Sequence, residues 1–186
     1  LLGMYSIAIH DPTAGGILVL SRDPFGIKPL YYIETPSAFA FASEPGALIK
    51  AGLINPMLDD EARNTFLQLQ FSCGRDLPLK GIKRVLPGET LIVRQGRIVE
   101  RHRLPALPQG GPEPITEAEA LARLDDALRD SVRVHQRSDV PYGMFLSGGI
   151  DSSAILRIMA DLNDAPVVAF TAGFDGTTVQ DERSHA

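Results

Sequence analysis

The chain has 186 residues and a net charge of −5, with 44% hydrophobic and 22% charged residues. That balance fits a globular protein of one large or two small domains. No apolar run reaches the about 18 residues of a membrane span, and the acidic balance argues against nucleic acid as the main partner. The single cysteine, Cys73, rules out an internal disulfide and fits a reducing cytoplasm, the expected compartment.

The first part reads as β-hairpins. Tyr5, Ile7 and Ile9 alternate with Ser6, Ala8 and His10, a period of two that predicts a half-buried strand. The turn Asp11-Pro12-Thr13-Ala14-Gly15-Gly16 leads to a return strand from Ile17 to Ser21. Asp23-Pro24-Phe25-Gly26 and Glu34-Thr35-Pro36-Ser37 are further turns, leading to strands over Leu30–Ile33 and Ala38–Ala42. A short helix follows from Glu44 to Ala51, stopped by Gly52, and a second from Asp59 to Gln70 carries Ala62, Phe66 and Leu69 on one face. Leu91-Ile92-Val93 and Arg97-Ile98-Val99 form a hairpin around Gln95-Gly96. Leu104 to Ile115, with four prolines and two glycines and no periodicity, is the best linker. Thr116 then opens a helix, Glu119 completes a capping box, and Leu121, Leu124, Leu128 and Val132 form the apolar stripe.

Near the end a short apolar run, Tyr142-Gly143-Met144-Phe145-Leu146, precedes Ser147-Gly148-Gly149-Ile150-Asp151-Ser152-Ser153. Ala154, Ile155, Ile158, Met159 and Leu162 follow at helical spacing, and a second apolar run spans Pro166 to Phe174. Strand, glycine loop, helix and strand make a βαβ unit, which closes right-handed. A Gly- and Ser-rich loop at a helix start offers unpaired N–H groups to an anion, and Gly148 and Gly149 remove side chains that would hold a phosphate away. No lysine occurs between Phe145 and Asp164, so this is not a P-loop of the G-x-x-x-x-G-K-[ST] type. Instead Asp151 sits in the anion site, which makes chemical sense if a magnesium ion bridges it to phosphates. The plainer alternative is a tight turn in which Asp151 or Ser152 caps the helix.

The pattern S-G-G-x-D-S resembles the pyrophosphate-binding loop of the ATP-pyrophosphatase superfamily. The stretch Arg22-Asp23-Pro24-Phe25-Gly26-Ile27-Lys28-Pro29-Leu30-Tyr31-Tyr32 resembles class II glutamine amidotransferase domains. Gly3 to Ala8, Phe41-Ala42-Ser43-Glu44 and Gly81 to Glu89 fit the same resemblance. In this order, with Val140-Pro141-Tyr142-Gly143 leading into the loop, the chain resembles the glutamine-hydrolysing asparagine synthetases. The resemblance implies an α+β region, part of an N-terminal-nucleophile αββα sandwich, followed by α/β, the start of a parallel-sheet ATP-pyrophosphatase domain. It implies residues 1–107 as the C-terminal part of the amidotransferase domain, 108–115 as linker, and 116–186 as the N-terminal part of the synthetase domain. It also implies an internal segment of a longer protein.

As implied by the resemblance, Ser147, Gly148, Gly149, Asp151, Ser152 and Ser153 hold the pyrophosphate of ATP. The backbones of Leu146 and Ala172 contact the adenine nucleotide, and Asp151 ligates Mg²⁺. The substrates are then glutamine, ATP and aspartate or another carboxylate, with no nucleic acid and no membrane involved and a homodimer as the candidate assembly. The family's nucleophile is an N-terminal cysteine expected upstream of Leu1, so no catalytic residue is assigned here and the segment alone is expected to be inactive. Cys73 is internal and reads as a buried or idle thiol. Asp181 and Glu182 match an acidic pair in the family, or are two acids at a helix N-terminus. Arg22, Lys28 and Glu44 match family positions and read as structural. Phe41, Leu48, Met144 and Phe145 are apolar candidates for an ammonia path. His10, His102, His135 and His185 show no metal-ligand spacing. Three functions stay open: asparagine synthesis, a related amidation of another acceptor in peptide or polysaccharide biosynthesis, and non-catalytic ATP binding.

Overall fold

The computed structural model describes residues 1, 3–13, 15–173 and 183. The expected roles of Asp181, Glu182 and His185, and the end of the last apolar run at Phe174, lie outside the described residues. The chain divides into two compact units, Leu1–Gly111 and Pro112–Ala186.

The first unit is α+β. β1 (Ser6–Asp11), β2 (Ile17–Arg22), β6 (Glu89–Arg94) and β7 (Arg97–Arg103) form an antiparallel sheet in the order β1-β2-β6-β7. β4 (Phe39–Ala42), β3 (Tyr31–Glu34) and β5 (Lys83–Arg84) form a second antiparallel sheet. Neighbouring residues of a strand face opposite sides, and β3 shows the consequence. Tyr32 packs with Leu20 and Leu91, which pair directly across β2 and β6, and with Leu30 and Val85. Ile33 packs on the other side with Leu48, Leu77 and Ile82. Tyr32 and Ile33 are both fully buried, so β3 is covered on both faces. Full burial of a side chain of this kind is worth about 1.5–3 kcal/mol, which makes this strand the anchor of the unit.

Leu48 belongs to α1 (Pro45–Lys50), whose proline at the start suits a helix first turn. α2 (Asp60–Leu69) is capped by Asp59, whose carboxylate accepts the Ala62 N–H at 3.0 Å, and ends at Gln70 in the left-handed region. Its apolar stripe is not core: no α2 residue is buried, and Phe66 and Leu69 are exposed. The Gln95-Gly96 hairpin forms as expected, with φ of 48° and 74°, the pair of positive angles that a tight two-residue turn needs.

The second unit contains α3 (Glu117–His135), β8 (Gly143–Phe145), α4 (Ile150–Leu162) and β9 (Val168–Phe170). β8 and β9 pair in parallel, joined through α4. Val132 of α3 packs with Ile158 and Met159 of α4, and Met144, Leu162 and Val167 close the cluster. Leu121, Leu124 and Leu128 of the α3 stripe remain exposed. The expected capping box is half formed. Thr116 accepts the Glu119 N–H at 3.2 Å, but the Glu119 carboxylate pairs with Arg123 at 2.8 Å, because one turn on a cation outbids a backbone donor. Among the described residues no helix is long and apolar enough to cross a membrane.

Candidate functional site

The segment Ser147–Ser153 spans the end of β8 and the start of α4: Ser147–Gly149 are the turn, and Ile150–Ser153, expected as loop, form the first turn of the helix. Leu146 is buried, its N–H donates to the Phe170 carbonyl at 2.8 Å, and its carbonyl accepts the Thr171 hydroxyl at 2.9 Å. Leu146 and Ala172 therefore stand just beyond the carboxyl ends of adjacent parallel strands, where open α/β sheets bind ligands. Thr171, which ties the two strand ends together, carried no signal in the sequence because its partner is 25 residues away.

Gly148 has φ of 71°, a left-handed turn that side chains resist, and this turns the chain from strand into helix. Gly149 is the N-cap of α4 and supplies no side-chain cap, so the first-turn N–H groups stay available. Two hydroxyls brace the loop. The Ser147 and Ser152 oxygens are 3.1 Å apart, and Ser152 donates to the Gly149 carbonyl at 3.1 Å. The Ser152 proton is thereby committed to Gly149, so Ser147 is the donor of the pair. Ser153 sends its backbone N–H to Gly149, and its exposed hydroxyl has no partner among the described residues. Asp151 is exposed in the first turn of α4.

These seven residues thus offer free N–H groups, a free hydroxyl and one carboxylate around an open turn. That donor set fits a polyphosphate. It also fits Mg²⁺, which is commonly held by one or two carboxylates plus phosphate oxygens. Among the described residues no cluster of three or more His, Cys, Asp or Glu stands close enough together to hold a metal ion by itself.

The other sequence candidates fall elsewhere. Arg22 is buried and donates to the carbonyls of Lys28, Val85 and Gly26 at 2.6–2.7 Å, a structural role that closes the Asp23–Lys28 turn. Asp23 is 1% exposed. Burial disfavours its charge, yet the N–H groups of Lys28, Ile27, Tyr5 and Phe25 outweigh burial and hold the carboxyl below its ordinary value. Leu48 is spent in the first unit's core and Met144 packs in the second unit's cluster, while Phe41 and Phe145 are exposed. Cys73 is exposed, not buried.

Sequence reasoning missed one polar cluster. Glu89, 3% exposed, accepts from Arg75 at 2.6 and 2.8 Å, from Arg101 at 3.2 Å and from the Leu86 N–H at 2.8 Å. Both arginines also reach the Tyr32 hydroxyl, at 3.3 and 3.2 Å. The cluster supports the core from its polar side and lies in the first unit, outside the loop.

With this geometry in hand, the comparisons are specific. The family model described as "Glutamine amidotransferase domain" matches residues 1–103, and the model described as "Asparagine synthase" matches residues 123–186. Asparagine synthetase [glutamine-hydrolyzing] 1 of Bacillus subtilis (strain 168) is 36% identical over 177 residues, 94% of this chain and 27% of the relative. Asparagine synthetase [glutamine-hydrolyzing] 3 of the same organism is 32% identical over 166 residues, 85% of this chain and 25% of the relative. Amidase chyE of Penicillium rubens is 29% identical over 204 residues, 100% of this chain and 29% of the relative. The class is thus an amidotransferase region joined to a synthase region. Within that class the chain belongs to the glutamine-hydrolysing asparagine synthetase family, and it spans about a quarter to a third of the length of the curated relatives it matches.

Proposed function

We propose that this chain is the junction segment of a glutamine-dependent, ATP-consuming amide synthetase. Residues 1–107 form the C-terminal part of an N-terminal-nucleophile amidotransferase domain, and 108–115 are linker. Residues 116–186 begin an ATP-pyrophosphatase domain in which ATP is a substrate. The observation that carries the reading is the uncapped glycine turn at the carboxyl ends of two parallel strands.

First-turn N–H groups of α4 and the Ser153 hydroxyl would bind the pyrophosphate oxygens. Ser147 and Ser152 would hold the turn open through their own hydrogen bonds, so no reorganisation is needed as charge builds up on the leaving group. Leu146 and Ala172 would position the nucleotide through their backbones. Asp151 would hold Mg²⁺, which when bound neutralises phosphate charge. The acceptor carboxylate would attack the α-phosphorus as the bond to pyrophosphate breaks. Ammonia from glutamine would then attack the acyl carbon of the aspartyl-AMP, lose a proton and expel AMP. Aspartate is the acceptor this reading favours. A second reading, the same chemistry on another carboxylate, stands beside it, because the relative amidase chyE is not named for asparagine synthesis. The expected compartment is the cytoplasm, and the expected assembly is a homodimer.

The test is Asp151→Ala in the full-length polypeptide. AMP release is expected to vanish while glutamine hydrolysis persists. AMP release at the wild-type rate would refute the metal assignment.

A further inference from the structure

A second cavity in the Pro112–Ala186 unit has no part in the reading above. It is lined by Val132, His135, Gln136 and Arg137 at the end of α3 and by Ile155 and Met159 of α4. Its lining combines apolar side chains with hydrogen-bond donors.

Two of those donors lack partners. The Gln136 side-chain nitrogen, Nε2, is buried and has no hydrogen bond among the described residues. Turning the amide over does not cure this. Gln136 Oε1 accepts from Asn163 Nδ2 at 3.2 Å, and a flip would set two donors against each other. Asn163 is itself fixed, because its Nδ2 also donates to the Met159 carbonyl at 2.6 Å and its Oδ1 accepts from the Tyr142 hydroxyl at 3.2 Å. The relay Tyr142–Asn163–Gln136 therefore ends in an amide N–H that needs an acceptor. Leaving such a group unpaired forfeits the hydrogen bond it would make in water. The second donor is Arg137, in the same lining, whose guanidinium forms no ion pair or hydrogen bond among the described residues. His135 adds a ring whose Nδ1 is engaged by the Ser131 carbonyl at 2.7 Å, so this nitrogen carries the proton and Nε2 is the free edge.

We infer that this cavity binds a small carboxylate with a short aliphatic part. The carboxylate would pair with Arg137, a small shift of the Gln136 side chain would bring its buried N–H to the carboxylate, and the hydrocarbon would lie on Val132, Ile155 and Met159. A charge-assisted bond of this kind is stronger than a neutral one, and hydrocarbon on the apolar lining adds the usual apolar gain. None of its lining residues belongs to Ser147–Ser153, and the inference does not depend on the assignment of that segment.

The experiment is calorimetric titration of the full-length polypeptide with butyrate. Aspartate and ATP are held at saturation so that any acceptor site is occupied. Butyrate is expected to bind, and Arg137→Ala and Gln136→Glu are each expected to weaken it at least about tenfold, the effect of losing one such bond. Gln136→Glu keeps the acceptor for Asn163 and guards against a mere folding defect, and the thermal midpoint of each variant checks this. Absence of binding up to about 50 mM, where only the weakest sites would fill, would show that the cavity holds solvent alone and would overturn the inference. Binding unchanged in both variants would also overturn it.

Discussion

Glu89→Ala tests the polar side of the first unit's core most sharply. The Glu89 side chain is 4% accessible, and it joins Arg75 and Arg101, which are 23% and 39% accessible. Removing one member of a buried pair costs about 3–5 kcal/mol because the partner's charge is left behind. Here both arginines reach solvent, so the lower end applies, about 3 kcal/mol. The Leu86 N–H and the Tyr32 hydroxyl lose their network at the same time. The assay is native-state hydrogen exchange of the full-length polypeptide, read at the amides of Tyr32 and Leu91. A loss of about 3 kcal/mol corresponds to exchange roughly 150-fold faster where exchange reports global opening of this unit. Acceleration below about threefold would refute the reasoning, since it would mean that the charges are solvated as well without Glu89 as with it.

Other expectations follow from the same geometry. The Glu89 carboxyl is penalised by burial, but hydrogen bonds from Arg75, Leu86 and Arg101, with the Arg75 charge, outweigh that and hold it below its ordinary value. Asp23 is depressed likewise. A depressed folded-state value contributes stability above the unfolded value, about 4 for such carboxyls, and loses it as pH falls through the folded one. Acid unfolding should therefore steepen below about pH 4, and Asp23→Asn should flatten the slope. An unchanged slope would count against the assignment. Gly148→Ala forces a side chain into φ of 71° at about 1–2 kcal/mol and should raise the KM for ATP while glutaminase is untouched; an unaltered KM would remove the turn from the nucleotide site. Thr116→Ala removes the cap of α3 and should cost about 1 kcal/mol by denaturant midpoint, whereas no change would mean that the helix start is held elsewhere.

Local chemistry was readable from the sequence, and long-range pairing was not. Asp59, Thr116 and the Gln95-Gly96 turn act within three or four residues, so their patterns predict their geometry. The glycine turn is equally local, and Ser147 to Gly149 form it as expected, but Ile150 to Ser153, read as loop, are already the first turn of α4. Period two alone did not reveal that β2 pairs with β6 across some 70 residues, or that β5 forms from only Lys83 and Arg84. Charge patterns gave no warning that Glu89 would be buried, since its partners Arg75 and Arg101 lie 14 and 12 residues away on either side. Apolar stripes mislead in the opposite sense. Phe66 and Leu69 on α2, and Leu121 and Leu124 on α3, recur at the spacing of a buried helical face, yet here they remain exposed, and only Val132 at the end of the α3 stripe is core.

The central claim is that the glycine turn serves ATP-dependent amidation. The measurement that bears on it most directly incubates the full-length polypeptide with ATP, Mg²⁺, glutamine and aspartate and assays AMP and asparagine together. Both are expected to appear in equal amounts and to vanish in Asp151→Ala. AMP and asparagine formed undiminished by that variant, or neither formed with aspartate or with a panel of other carboxylates, would contradict it.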